Sequence, residues 1–125
     1  MIKLGQAIYS LLSSATGVTQ YVGLHIFPII VPQVINLPCV VYERQSSDQL
    51  SKDGHGIYDS EVFLTIISTS YSNSIDIAQA CHDALAEYSG TAGGCNIIKC
   101  RFQSINENYV EEVFMQRMSF SIKSR

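Results

Sequence analysis

Apolar residues near the start of the chain recur at helical spacing. Leu4, Ile8, Leu11, Leu12 and Ala15 fall on one face of a helix, and Gly17 stands where a left-handed cap would end it. The pattern then changes. Val22, Leu24, Ile26 and Phe27 are apolar, but Pro28, Pro32 and Pro38 interrupt them. Each proline lacks the N–H that a central sheet ladder requires. Residues 18–38 therefore read as an extended, mostly irregular connector lying against the core, with one short strand near residues 25–27.

The β-formers of residues 39–45, launched by Pro38, predict a first full strand. Residues 46–56 are polar and carry Asp53-Gly54 and Gly56, which predicts a loop or hairpin excursion. Residues 57–69 predict a second strand. Val62, Leu64 and Ile66 share one face and Phe63, Thr65 and Ile67 the other, so it reads as a central strand covered on both sides. Asn73 or Ser74 can cap a following helix whose stripe is Ile77, Cys81, Ala84, Leu85 and Tyr88, with Gly90 ending it. Residues 91–94 are a small-residue turn. Ile98, Cys100 and Phe102 alternate with Lys99, Arg101 and Gln103, which gives a half-buried third strand. A turn near Asn106-Glu107-Asn108 leads to a fourth, where Phe114, Met118, Phe120 and Ile122 alternate with Met115, Arg117, Ser119 and Lys123 and Gln116 breaks the buried row. The order α-β-β-α-β-β predicts one α+β domain over residues 1–125. It consists of a four-stranded, largely antiparallel sheet with two helices packed on one face.

Composition narrows the function. The chain has 125 residues, 46% of them apolar and only 15% charged, and a net charge of −3. No two Lys or Arg are adjacent, so the cation density for a nucleic-acid groove is missing and no sequence-specific nucleic acid is expected as a partner. A charge-poor surface costs little to desolvate and suits protein contact. The N-terminal apolar pattern is broken by Gln6, Ser10 and Ser13, and the longest apolar stretch, residues 23–31, contains His25 and Pro28. Neither a secretory leader nor a membrane partner is expected. Cys39, Cys81, Cys95 and Cys100 form no CxxC pair and read as reduced, small buried hydrophobes.

Candidate chemistry is sparse. His25, His55 and His82 have no carboxylate at metal-ligand spacing. Asp59 and Glu61 share a strand face, an arrangement that can serve acid–base work but also occurs on solvated strand ends. Thr91-Ala92-Gly93-Gly94 lacks the Lys-Ser/Thr of a phosphate loop and follows a helix instead of opening one. No nucleophile elbow or Cys/His dyad is present. The expectation is no enzyme activity, no metal and no cofactor.

Several phrases in their order resemble the small tail completion proteins of long-tailed bacteriophages and prophages. They are Ile8-Tyr9-Ser10-Leu11-Leu12, Val22-Gly23-Leu24-His25-Ile26-Phe27-Pro28, Pro32-Gln33, and Leu37-Pro38-Cys39-Val40-Val41-Tyr42. The helix with Ala78, Ala84 and Leu85, then Gly94 and the closing strands, complete the series. His25 stands where the family pattern has a basic residue. The resemblance covers nearly the whole chain. It implies a virion structural protein, made in the bacterial cytoplasm, that self-associates into a ring, of six, at the head-proximal end of the tail tube. It implies the tail-tube protein and the head-completion (connector) proteins as partners.

Such a ring needs heterologous contacts that close by rotation and benefits from exposed strand edges and adaptable loops. The 46–56 excursion and the closing hairpin are where those contacts are expected. Asp48, Gln49, Lys52, Asp53, His55, Asn106 and Asn108 are the candidate contact residues. Two other readings compete. A ferredoxin-like small-molecule-binding or regulatory domain shares helices on one face of an antiparallel sheet. A small enzyme would use Asp59, Glu61 or a histidine.

Overall fold

The computed structural model describes residues 2–30, 37–49 and 56–125. Helix α1 spans Leu4–Ser14 and buries Leu4, Ala7, Ile8 and Leu12, the predicted stripe. It does not run to a cap at Gly17. Ala15 turns extended, at φ −85° and ψ 111°, and its carbonyl accepts from Val18 and Thr19 N–H, each at 3.0 Å. A second helix, α2, Thr16–Val22, starts there and buries Val18 and Val22 one turn apart. Gly17 is inside it, and Gly23, at φ 57°, ends it. Glycine does terminate a helix here, one helix later than the pattern suggests. The connector expected for residues 18–38 is thus partly helical, and its short strand is β1, Ile26–Pro28.

Strand β2, Cys39–Gln49, continues through Ser46–Gln49, which the sequence reading places in a loop. Gln45 is an extra residue at a bulge, and Ser46, Ser47, Asp48 and Gln49 still pair with Glu61, Ser60, Asp59 and Tyr58 of β3, Tyr58–Ser68. Polar residues stay in the ladder because they line a solvated face, where alternation is invisible. Helix α3, Tyr71–Leu85, is capped by Ser70, whose hydroxyl accepts from Asn73 N–H at 3.4 Å, not by Asn73 or Ser74. It buries Ile77, Ala78, Cys81 and Leu85 and stops at Ala86. Gly90 belongs to β4, Gly90–Ala92. Strand β5 spans Cys95–Val110 and β6 spans Val113–Ser124. The turn between them is Glu111-Glu112, both at positive φ, so Asn106 and Asn108 lie within β5 and not in a turn. A bulge at Ile98 puts Ile97 into the core and Ile98 outside, reversing the predicted face at that end.

The predicted sheet of four largely antiparallel strands under two helices is therefore overturned. One mixed, curled six-stranded sheet runs β1-β2-β3-β6-β5-β4, with β1 parallel to β2 and every other pair antiparallel. Three helices cover one face. The two extra strands are three residues each, too short to show periodicity.

The core is the covered face of β2, β3 and β6 against the three helices. Val40, Tyr42, Val62, Leu64, Ile66, Met118, Phe120 and Ile122 meet Leu4, Ile8, Leu12, Ile77 and Leu85. Each large side chain removed from water contributes about 1.5–3 kcal/mol. The opposite face of β3, with Phe63, Thr65 and Ile67, is half-buried, not covered. The tight point is where the β4–β5 turn meets α1. A Cβ on Gly93 would stand 2.6 Å from Ala7 N and Gln6 C, at φ 54°, whereas one on Gly23 would meet nothing within 4 Å. Gly93→Ala is expected to lower the unfolding free energy by about 3 kcal/mol, from left-handed strain plus overpacking. Gly23→Ala, with strain alone, is expected to lower it by about 1 kcal/mol. Urea unfolding of the two variants side by side checks the difference.

Candidate functional site

The groups with chemical potential are dispersed. His25 stacks on Phe27 at 6.0 Å. His82 sits on α3, 3.3 Å from Asp83 and edge-on to Phe102 at 5.0 Å. Asp59 and Glu61 do share the uncovered sheet face, as predicted, and Asp59 accepts from Ser121 Oγ at 2.9 Å. Among the described residues no three His, Cys, Asp or Glu side chains are grouped to hold a metal ion. Cys39, Cys81, Cys95 and Cys100 are all free and buried. Burial pushes the Cys39 thiol up to about 11 and those of Cys81 and Cys100 up to about 12, so these three stay protonated and weakly nucleophilic at neutral pH. A maleimide at pH 7 is expected to label the folded chain at well under one thiol per molecule and the urea-unfolded chain at four; mass spectrometry reads the count.

The two surfaces that stand out are the uncovered sheet face and the distal half of β5. On the uncovered face, one cross-strand row reads Asp48, Asp59, Lys123, Lys99 from β2 to β5. The next reads Ser46, Glu61, Ser121, Arg101. Acid thus collects on β2 and β3 and cations on β6 and β5. Two like-charged pairs, Asp48 opposite Asp59 and Lys123 opposite Lys99, stand side by side, an arrangement that costs stability within a sheet unless opposite charge flanks it. Lys99 has Glu87 at 3.2 Å. Arg117, nearer the centre, lies 4.1 Å over the Phe63 ring and 3.4 Å from Glu43.

The second surface exists because the helices cover β2, β3 and β6 but leave the far half of β5 open. The row Tyr42, Leu64, Met118, Ile105 is buried until its last member. An open apolar trough results between α3 and β5, lined by Ile75, Ala78, His82, Phe102, Ile105 and Met118. Toward the hairpin tip, Phe114 contacts Tyr71 at 5.5 Å and Tyr109 at 4.8 Å. A polar strut fixes the hairpin to the start of α3. Buried Gln116 donates through Nε2 to Glu107 Oε2 at 3.0 Å and to Ser74 Oγ at 3.3 Å, and the Tyr71 hydroxyl donates to the same carboxylate.

Of the sequence-predicted contact residues, Asp48 and Gln49 lie at the exposed end of β2, and Asn106 and Asn108 lie exposed on β5, on the uncovered face. Two strands separate the two pairs. Lys52, Asp53 and His55 lie outside the described residues. The trough went unrecognised in the sequence. Its one signal is that Ile75 and Ile105 are large apolar residues off the predicted stripes.

The chain thus presents a curled sheet with one helix-covered face, an uncovered face divided by charge, and grouped exposed apolar residues. A family described as Tail completion protein gp17 matches residues 6–124, and the chain belongs to that family; it is a phage tail structural protein. A chain in the virion of a native gene transfer agent particle is similar in fold, with a TM-score of 0.73 over 98% of this chain and 93% of that one, at 16% identity. A search of curated proteins by sequence finds no match.

The strut makes a pH prediction. Hydrogen bonds from Gln116 and Tyr71 hold the Glu107 carboxyl below its ordinary value of 4.5. A depressed folded-state value means that its stabilisation is complete above that range and is lost as pH falls through the folded value. The wild-type advantage in Tm over Glu107→Gln is expected to be full at about pH 6 and to shrink below about pH 4.5; thermal melts across roughly pH 3–6 read it.

Proposed function

We propose that this chain completes the phage tail as a ring at the head-proximal end of the tail tube and joins the tail to the head. The observation that carries the reading is the family match across residues 6–124. The uneven charge and the exposed apolar groups at opposite edges of the sheet support it, because a ring subunit must present two different, complementary surfaces. Synthesis is cytoplasmic, the working location is the virion, and the partners are other copies of the chain, the tail-tube protein and the connector proteins.

The ferredoxin-like reading loses its basis with the four-stranded sheet. The strand order here, with a parallel β1 outside β2, is a different arrangement, and the most apolar hollow is an open trough and not an enclosed pocket.

Deleting the gene is expected to leave filled heads and separate tails that do not join, and expression in trans is expected to restore joined particles. Electron microscopy counts the two populations. Antibody label at the head-proximal tail end of wild-type particles is the positional check. Joined particles in normal number without the chain would end the proposal.

A further inference from the structure

The edges of the sheet are only half covered, and the open halves are diagonal to one another. On one side, β1 pairs with Val40, Val41 and Tyr42, the beginning of β2, and no described strand pairs with the outer side of Gln45–Gln49. On the other side, β4 pairs with Cys95, Asn96 and Ile97, and Cys100 exchanges backbone hydrogen bonds with Glu87 and Tyr88, at 2.8 and 3.0 Å. Beyond Cys100, no described strand lies along the outer side of Arg101–Val110. A strand edge of that length, without proline and with only one cation, is an unprotected template for another strand.

Three observations identify the occupant. First, direction: β2 and β5 run antiparallel across the sheet, since β2–β3, β3–β6 and β6–β5 are each antiparallel. Setting β2 of a second copy against β5 continues the alternation. Second, charge: on the uncovered face the β2 edge carries Asp48 and the β5 edge Arg101, both exposed and neither with an ion-pair partner among the described residues. Two copies meeting by the same edge would place like charge against like; opposite edges meeting place acid against base. Third, apolar surface: the β1 side exposes Leu24 (77%), Ile29 (68%) and Ile30 (72%), and the β5 side exposes Ile105 (44%) and Tyr109 (58%). These patches lie at opposite ends of the strand order, so one chain cannot bring them together.

We propose that the outer edge of β5 from Arg101 to Ile105 in one copy pairs antiparallel with residues 45–48 of β2 in the next copy, Gln103 being the extra residue of its bulge. The β5–β6 tip then packs on the Leu24, Ile29 and Ile30 corner. This rests on the ring reading above and supplies its subunit interface. At equal height Asp48 lies level with Lys99, where the 87–92 segment already occupies the β5 edge. The smallest shift that clears that segment, two residues along the strand, sets Asp48 beside Arg101. Each junction is thus staggered and uses two different surfaces, so the contact is heterologous, the kind from which a closed ring is built when its rotation closes.

The test is cross-linking in assembled particles. Asp48→Cys, Arg101→Cys and the double variant are expressed in the producing cell, and purified particles are treated with a short bis-maleimide. The native cysteines are buried and give low background. Within one copy the two positions are three strand spacings apart, roughly 14 Å, beyond a linker of about half that reach. The double variant is expected to give a ladder of covalent multimers and each single variant only monomer. A dimer from either single variant, or monomer from the double variant in particles that contain the chain, overturns the interface and leaves the tail reading standing. Particles that join and yet contain no copy of the chain overturn the tail reading itself. Circular dichroism and Tm of the isolated variants, expected unchanged for these exposed positions, show that the loss is not misfolding.

Discussion

Strand β6 is the constraint on which the rest depends. Like β3, it has a long antiparallel partner on each side, β3 over eleven paired positions and β5 over twelve. Its covered face carries Gln116, Met118, Phe120 and Ile122, all essentially inaccessible. Helix α3 packs on this strand. Met118, Phe120 and Ile122 supply apolar area, and Gln116 supplies a polar fastening to α3 and to β5 through Ser74 and Glu107. A buried amide needs partners, and these arrive from two other elements, so its position also fixes theirs.

That same arrangement explains where the molecule stops burying itself. Helix α3 packs on β3, β6 and part of β5, α1 packs on β1, β2, β4 and β5, and the distal part of β5 runs beyond them. The hairpin leaves the shelter of α3 at about Ile105, and its continuation is held by the Tyr71–Glu107–Gln116 strut and by aromatic contacts with Phe114 instead of by a covered core. The exposed apolar residues of this region are a consequence of a strand that outruns its helices. Their counterpart on the β1 side follows from Gly23 and Pro28, which end α2 and β1 abruptly and leave Leu24, Ile29 and Ile30 on a corner.

Much of this was legible in the chain. The stripe of α1, the stripe of α3 around Ile77, Cys81 and Leu85, the alternation of Val62, Leu64 and Ile66, and the Phe120 row all appear at the expected period, because burial there is strong and uninterrupted. What escaped has physical causes. Gly17 was read as a stop, yet an interior glycine in a short helix costs only about 1 kcal/mol, and the Val18–Val22 pair offsets it. Bulges at Gln45, Ile98 and Gln103 shift the alternation by one residue each, so a two-residue period read straight through them assigns the wrong face. Asn106 and Asn108 carry turn chemistry yet sit in a strand, since alternation on an uncovered strand end is not enforced by burial. The contact residues proposed from the sequence are likewise half resolved: Asp48 and Asn106 stand on opposite flanks of the uncovered face, which no spacing rule could show.

The division of charge on that face has a consequence for assembly. A sheet whose β2 side is acidic and whose β5 side is basic carries an imbalance in its own strand pairing, with Asp48 against Asp59 and Lys123 against Lys99. Within one subunit Asp59 stands opposite Lys123 in the β3–β6 pairing, and Glu87 lies 3.2 Å from Lys99. In the proposed interface the Asp48–Asp59 pair gains Arg101 of the neighbouring copy on its outer side, while Glu87 of the same chain remains beside Lys99. A two-fold dimer made through either edge would extend the imbalance. The short flanking strands act in the same sense: β1 and β4 close diagonal corners of the sheet and leave one open half-edge on each side. In the proposed interface, charge selects which edges meet, and the two three-residue strands limit how far one copy slides along the next. The proposal thus favours a staggered head-to-tail series over a pair, with the curl of the sheet bending such a series toward closure.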